Sequence, residues 1–147
     1  MKFICSVIID KPKVFVTNLF VKPEFLGEYQ EGFVKKNIVK GNYFEVGAIS
    51  KLYYKMGKGE MELTETVLKN ELPDSFAALY VHKHTENTMT STFISLSDTK
   101  TQYNAEINYT SFKGVIVKIM AFLFPIFFKK QVQKWLDNFK VFVEKQS

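Results

Sequence analysis

The sequence predicts an α+β fold: a curved seven-stranded antiparallel sheet closing on one long C-terminal helix, with two short helices after the first strand. Three observations lead there. The last third, Gly114 to Glu144, reads as helix. After Pro125 the apolar residues Phe128, Val132, Trp135, Leu136, Phe139, Phe142 and Val143 recur at helical spacing, and lysines, Gln133 and Asp137 fill the other face. Second, residues 33–110 form a run of strand-like segments separated by turn signals. Third, one hairpin in that run puts apolar opposite apolar on one face and lysine opposite glutamate on the other. A sheet with one apolar face needs a cover, and the terminal helix is the only element large enough to supply it.

In order, residues 2–9 alternate with Phe3, Cys5, Val7 and Ile9 on one face, the pattern of a strand. Asp10 and Pro12 suit a helix start, and Val14, Phe15, Leu19 and Phe20 mark a short helix. Lys22-Pro23 breaks it, and Glu24 to Gly27 makes a second short piece. Residues 33–40 read as a lysine-rich strand near an edge, where charge discourages edge-to-edge pairing.

Gly57-Lys58 reads as a two-residue type II′ turn, with glycine first as that turn prefers. The turn sets a register: Tyr54 faces Met61, Leu52 faces Leu63 and Ser50 faces Glu65 on one side. Lys55 faces Glu60 and Tyr53 faces Glu62 on the other. After a turn at Leu72-Pro73-Asp74, strands follow at about 76–83, 88–96 and 101–110, with Thr85 to Asn87 and Ser97 to Lys100 between them. Carrying the register forward puts Tyr80 and His82, then Met89, Ser91 and Phe93, then Tyr103, Ile107 and Tyr109 on the inner face. In the closing stretch Pro125 removes a helical hydrogen bond, so two helical segments meet near Phe124. The first is apolar nearly all round and is expected to be covered on most sides.

The 147 residues suffice for one domain with a sizeable core. Aromatic residues make up 16% of the chain, enough either to fill a core or to line a pocket. All twenty basic residues are lysine, giving a net charge of +5. Without a guanidinium for bidentate contacts to phosphates or guanine edges, the expectation is no nucleic-acid partner. The single Cys5 excludes an internal disulfide and a cysteine zinc cluster. His82 and His84 share one side of a strand but lack a third ligand at identifiable spacing, so no metal and no other cofactor is expected. Met1 leads straight into a strand pattern, and the 115–128 run falls short of the ~20 apolar residues a span requires. The expectation is a soluble, cytoplasmic chain, monomer or homodimer. Lys118, Lys129 and Lys130 flank that run; they suit snorkelling at the surface or a transient contact with anionic lipid.

Three stretches resemble the helix-grip superfamily of START-like domains, also called SRPBCC: polyketide cyclase/dehydrase, lipid-transport and pollen-allergen-like proteins. They are IIDKPKVFVTNLFVKPEFLGEY, YKMGKGEMELTETVLKNELPDSFA and FKGVIVKIMAFLFPIFFKKQVQKWLDNFKVFVE. In the first, Pro12, Phe15, Pro23 and Leu26 match the two small helices, and Tyr29 stands where many members carry Trp. The resemblance covers the whole chain and implies a cavity between sheet and helix that takes a hydrophobic ligand. It selects no chemistry, since the family has no shared catalytic motif.

On pattern alone the inward stripe is core or lining. With the implied cavity, the candidate ligand-binding residues are Ser50, Leu52, Tyr54, Met61, Leu63, Glu65, Tyr80, His82, Phe93, Tyr103, Tyr109, Met120, Phe124, Trp135 and Phe139. Glu65 and His82 are the candidate catalytic pair, since a carboxylate and an imidazole pointing together can act as base and acid. The leading expectation is binding of a small hydrophobic or amphipathic ligand, such as a lipid or polyketide-like metabolite. The alternatives are a cyclase- or dehydratase-like enzyme in the same cavity and a protein-interaction module with a filled core. A filled interior favours the last, and charged groups poised in a cavity favour the enzyme.

Overall fold

A computed structural model describes residues 1–147. The chain runs β1 (Lys2–Ile9), α1 (Lys13–Phe20), a 3-10 turn (Pro23–Phe25), α2 (Leu26–Tyr29), β2 (Phe33–Lys40), β3 (Ile49–Met56) and β4 (Gly59–Glu71). It continues with β5 (Ser75–Val81), β6 (Thr85–Ser97), β7 (Lys100–Phe112), α3 (Val115–Leu123) and α4 (Pro125–Glu144). The fold is α+β, with seven antiparallel strands in one open sheet of order β1-β7-β6-β5-β4-β3-β2. Chain-consecutive strands are neighbours from β2 to β7, and β1 closes beside β7. That leaves β1 and the lysine-rich β2 as the two edges.

The central hairpin has the register its sequence dictates: Ser50 opposite Glu65, Leu52 opposite Leu63, Tyr54 opposite Met61 and Lys55 opposite Glu60. Gly57 sits at φ 60° in the turn, a conformation open to glycine at little steric cost. The inner face then carries through Glu65 to Tyr80, Ala78 to Met89, Met89 to Ile107 and Phe93 to Tyr103.

Three boundaries differ from the sequence reading. Thr85, Glu86 and Asn87 begin β6 instead of forming a loop, and β5 ends at Val81. The reversal is tighter than expected because the His82 N–H donates to the Thr85 carbonyl at 2.8 Å, so pairing resumes at once. His82 therefore lies in the turn and not on the strand. Gly27 falls inside α2, not at its end. At the start of α1, Pro12 occupies the capping position. The Asp10 N–H instead donates to Glu144 Oε2 at 2.7 Å, tying the start of the chain to the end of α4.

The core lies where the buried stripe of α4 (Leu136, Phe139, Phe142, Val143) meets Cys5 and Ile9 of β1, Val16 of α1 and the inner faces of β6 and β7. Phe20 at the end of α1 is its hub, with edge-on contacts to Phe76, Phe93, Tyr103 and Phe139 at ring separations of 5.2–6.2 Å. Burying each such side chain stabilises by about 1.5–3 kcal/mol. Edge-to-face geometry adds to that through the ring quadrupoles.

The break near Phe124 is present: Phe124 ends α3, and Pro125 opens α4 at the position where its missing N–H costs nothing. The expected covering of the run before it is absent. No residue of α3 is buried, and Phe122 is 82% exposed. The buried stripe of α4 packs beside β1 and α2, whereas α3 follows directly on β7 and packs sparsely.

Candidate functional site

The interior is not filled. A cavity of about 740 Å³ lies between the inner face of the sheet and α4, and 23 of its 35 lining residues are hydrophobic. Its mouth is at one end of the sheet, where half-exposed Met56 on the β3–β4 turn, Met120 on α3 and Phe127 on α4 share the lining. His82 and His84 on the β5–β6 turn belong to the same rim. The far end is closed by Phe20, Phe44 and Phe76. Along β4, Met61, Leu63 and Glu65 line the wall at successive inward positions, so Glu65 lies about 13 Å deeper than Met61.

At that depth the apolar lining is interrupted by a buried charged cluster. The Lys36 ammonium stands 2.8 Å from Glu65 Oε1, with the two side chains only 3% and 6% exposed. The Tyr80 hydroxyl donates to Glu65 Oε2 at 2.8 Å. Both carboxylate oxygens are thereby occupied, which is what a buried carboxylate requires. The ring of Phe44 lies 4.6 Å from the Lys36 ammonium and that of Tyr43 5.5 Å, each offering its face to the cation. Phe44 is the one non-glycine residue with positive φ, at 67°, and its carbonyl accepts from the Asn70 side chain at 2.7 Å. That strained backbone aims its ring at the cluster. Burial, and then the neighbouring Glu65 charge, hold the Tyr80 hydroxyl well above the ordinary tyrosine range, so it stays protonated and donating.

Closer to the mouth, Trp135 stacks on Tyr54 at 5.8 Å with an interplanar angle of 12°. The Tyr54 hydroxyl donates to Gln30 Oε1 at 2.7 Å, while the buried Trp135 Nε1–H has no partner. Tyr103 shares a buried hydrogen bond of 3.0 Å with Ser91, and burial pushes its hydroxyl up to about 12.

Of the fifteen residues singled out from the sequence, twelve line the cavity: Leu52, Tyr54, Met61, Leu63, Glu65, Tyr80, His82, Tyr103, Tyr109, Met120, Trp135 and Phe139. Ser50, Phe93 and Phe124 do not. Ser50 is buried in the sheet opposite Glu65. Phe93 is held in the solid core between Phe20 and Tyr103, and Phe124 points outward at the α3–α4 elbow, 45% exposed. Glu65 and His82 do not pair. Glu65 is engaged with Lys36 and Tyr80, while the His82 ring lies 5.6 Å from that of His84 at the rim. Partial burial, then the His84 and Lys83 charges, lower the His82 pKa. No third His, Cys, Asp or Glu joins the two imidazoles.

Lys36 is the residue that sequence reasoning passed over. Strict alternation from Phe33 would turn Lys35 inward and Lys36 outward. Instead Phe33 pairs with Tyr54 and Lys35 with Tyr53, so Val34 is an extra residue that reverses the parity, and Lys36 comes to sit opposite Leu52 on the inner face. The only hint was a glutamate on the inner stripe with no cation assigned to it.

No protein-family model and no curated protein sequence matches the chain. Solved structures do. The Zhui aromatase/cyclase from Streptomyces sp. R1128 superposes with a TM-score of 0.82 at 8% identity, over 99% of this chain and 94% of its own. Ara h 8.0201 gives 0.78 at 10% identity, over 99% of each chain. Major latex-like protein 151 from Panax ginseng gives 0.73 at 14% identity, over 96% of this chain and 95% of its own. At such identities the likeness shows the fold. The helix-grip architecture that the sequence resembles is the architecture this chain has.

Proposed function

We propose that the protein binds a small amphipathic molecule, a lipid or polyketide-like metabolite, with its apolar body along the cavity and its polar end toward Lys36, Glu65 and Tyr80. The observation that carries this reading is the cavity itself. Its volume of about 740 Å³ falls within the range of small-molecule sites, and a mostly apolar wall with a few convergent polar groups is their usual composition. A well-packed core would not leave that space, because each void costs dispersion contacts and hydrophobic stabilisation. An interior that the side chains leave open also weighs against a module whose only role is to present its outer surface.

One observation favours an enzyme in the same cavity: a buried tyrosine hydroxyl bonded to a carboxylate that is paired with an ammonium. That constellation could donate a proton to a substrate oxygen. It fits anchoring better, because Lys36 and Tyr80 each hold one Glu65 oxygen in place while the remaining lone pairs can accept from the polar end of a ligand with no proton transfer required.

Native mass spectrometry of the freshly purified protein is the direct test. The expected result is a retained non-covalent ligand whose occupancy falls in Leu63→Trp, which narrows the cavity at its wall. A protein that carries no ligand and whose Trp135 emission does not respond to a panel of fatty acids and aromatic polyketides would overturn the reading.

A further inference from the structure

We infer that α3 and the elbow after it dock on the surface of a bilayer containing anionic lipid, bringing the mouth of the cavity against the membrane. This inference stands on surface features and does not depend on what occupies the cavity.

Helix α3 turns one face toward the mouth through Val117 and Met120. Its other face presents Ile116, Ile119, Phe122 and Leu123 to solvent, and the elbow adds Ile126 and Phe127; Ile116 is 75% exposed and Phe122 82%. Single exposed apolar residues are ordinary on a protein surface, but a contiguous set of large ones marks an interaction site. No helix of the chain is long and apolar enough to cross a membrane. A helix of nine residues, about 13 Å long, suits lying in the interface with its apolar side among acyl chains.

Charge selects the occupant. From Ile107 to Leu136 the chain has five lysines and no aspartate or glutamate. Lys134 is paired with Glu31, but Lys113, Lys118, Lys129 and Lys130 are exposed and make no ion pair. Unpaired lysines beside an apolar stripe match the acyl–headgroup boundary of an anionic leaflet, where long stems let the ammonium groups reach phosphates. A second copy is a poorer occupant, because a two-fold contact would set these lysines against their own images.

The test is co-flotation of the full-length protein with vesicles. One set contains equal parts phosphatidylcholine and phosphatidylglycerol, and the other phosphatidylcholine alone. The wild type is expected to float with the anionic vesicles, weakly or not at all with the neutral ones, and to release as salt is raised. The Ile116→Ser/Phe122→Ser variant changes only exposed side chains that do not line the cavity, so it should keep its melting temperature while losing at least about tenfold in vesicle affinity. Lys118→Glu/Lys129→Glu should do the same through charge, by at least about tenfold. Absence of wild-type binding to the anionic vesicles would overturn the inference, and so would binding that neither variant weakens. A wild type that sediments as a dimer, becomes monomeric on Ile116→Ser/Phe122→Ser and ignores vesicles would assign this face to a second copy.

Discussion

The Lys36 ammonium and the Glu65 carboxylate meet 2.8 Å apart beneath the sheet face, where neither side chain reaches bulk water. The pair joins an edge strand to the middle of the sheet and places a dipole in an otherwise apolar chamber. Its worth is conditional. Desolvating two charges offsets much of their attraction, so the pair contributes little net stability while both partners are present. Removing one leaves the other uncompensated.

Lys36→Met is accordingly expected to destabilise by about 3–5 kcal/mol, because Glu65 keeps only the Tyr80 hydrogen bond. The double variant Lys36→Met/Glu65→Leu should recover most of that loss while weakening ligand binding, since the polar anchor is gone. Urea denaturation of the three proteins checks this. A single variant as stable as the double would show that the pair is not buried in solution.

The two ends of the β3 neighbourhood test the turn geometry. Gly57 has φ 60° and open space where a Cβ would stand, so Gly57→Ala meets only backbone strain, about 1–2 kcal/mol. Gly32 has φ 83°, and a Cβ there would come within 2.4 Å of the Lys55 carbonyl oxygen. Gly32→Ala should therefore cost about 3 kcal/mol or more, through strain and a backbone clash together. Thermal melts that rank the two in the opposite order would displace the register at the start of β2.

Most of the fold was legible because its signals are local. The turn at Gly57, the alternation of β3 to β7, Pro125 and the apolar stripe of α4 each name their own structure. The glutamate was legible for the same reason: Tyr54, Leu52 and Glu65 follow from one turn and an unbroken period of two. Its partner was not, because the bulge at Val34 changes parity on an edge strand where lysines have a ready alternative explanation. Phe93 and Ser50 were assigned to the correct face, but a face does not say whether space lies in front of a residue. That depends on how far α1 and α4 approach, which is set by packing across the whole chain. The bareness of α3 was hidden by the opposite assumption, that an apolar helix is a buried one.

Stability should fall in alkali. Burial raises the hydroxyls of Tyr103 and Tyr109 to about 12, and shifts those of Tyr29, Tyr54 and Tyr80 in the same direction. An unfolded tyrosine titrates near 10, so above that pH the unfolded chain releases protons that the folded chain retains. The folded state then binds more protons, and unfolding free energy declines as pH rises. The contribution is complete below about pH 10 and is lost as pH passes through about 12 for Tyr103. Tyr103→Phe should cost about 0.5–1.5 kcal/mol at neutral pH, where the bond to Ser91 is lost, and make the alkaline decline shallower. Denaturation midpoints across that range, with tyrosinate absorbance as a second readout, check it; an unchanged slope would place Tyr103 in contact with water.

The last prediction separates open space from packed core on a single sheet face. Leu63 borders the cavity, whereas Ala105 is 0% exposed in the solid core, opposite Cys5 and Ser91. A larger side chain is accommodated where there is room and forces neighbours apart where there is none. Leu63→Phe should therefore change stability by less than about 1 kcal/mol, while Ala105→Leu should destabilise by about 1–3 kcal/mol or more. Their effects on binding should run the other way. The cavity variant competes with a ligand for volume, and the core variant leaves that volume untouched. Trp135 is the only tryptophan and lines the cavity, so its emission reports occupancy without an added label. Titration with an environment-sensitive hydrophobic dye should show Leu63→Phe weakened several-fold and Ala105→Leu near the wild type. If Leu63→Phe is instead the more destabilising of the two and leaves dye affinity unchanged, the chamber is closed in solution and the ligand-binding proposal loses its support.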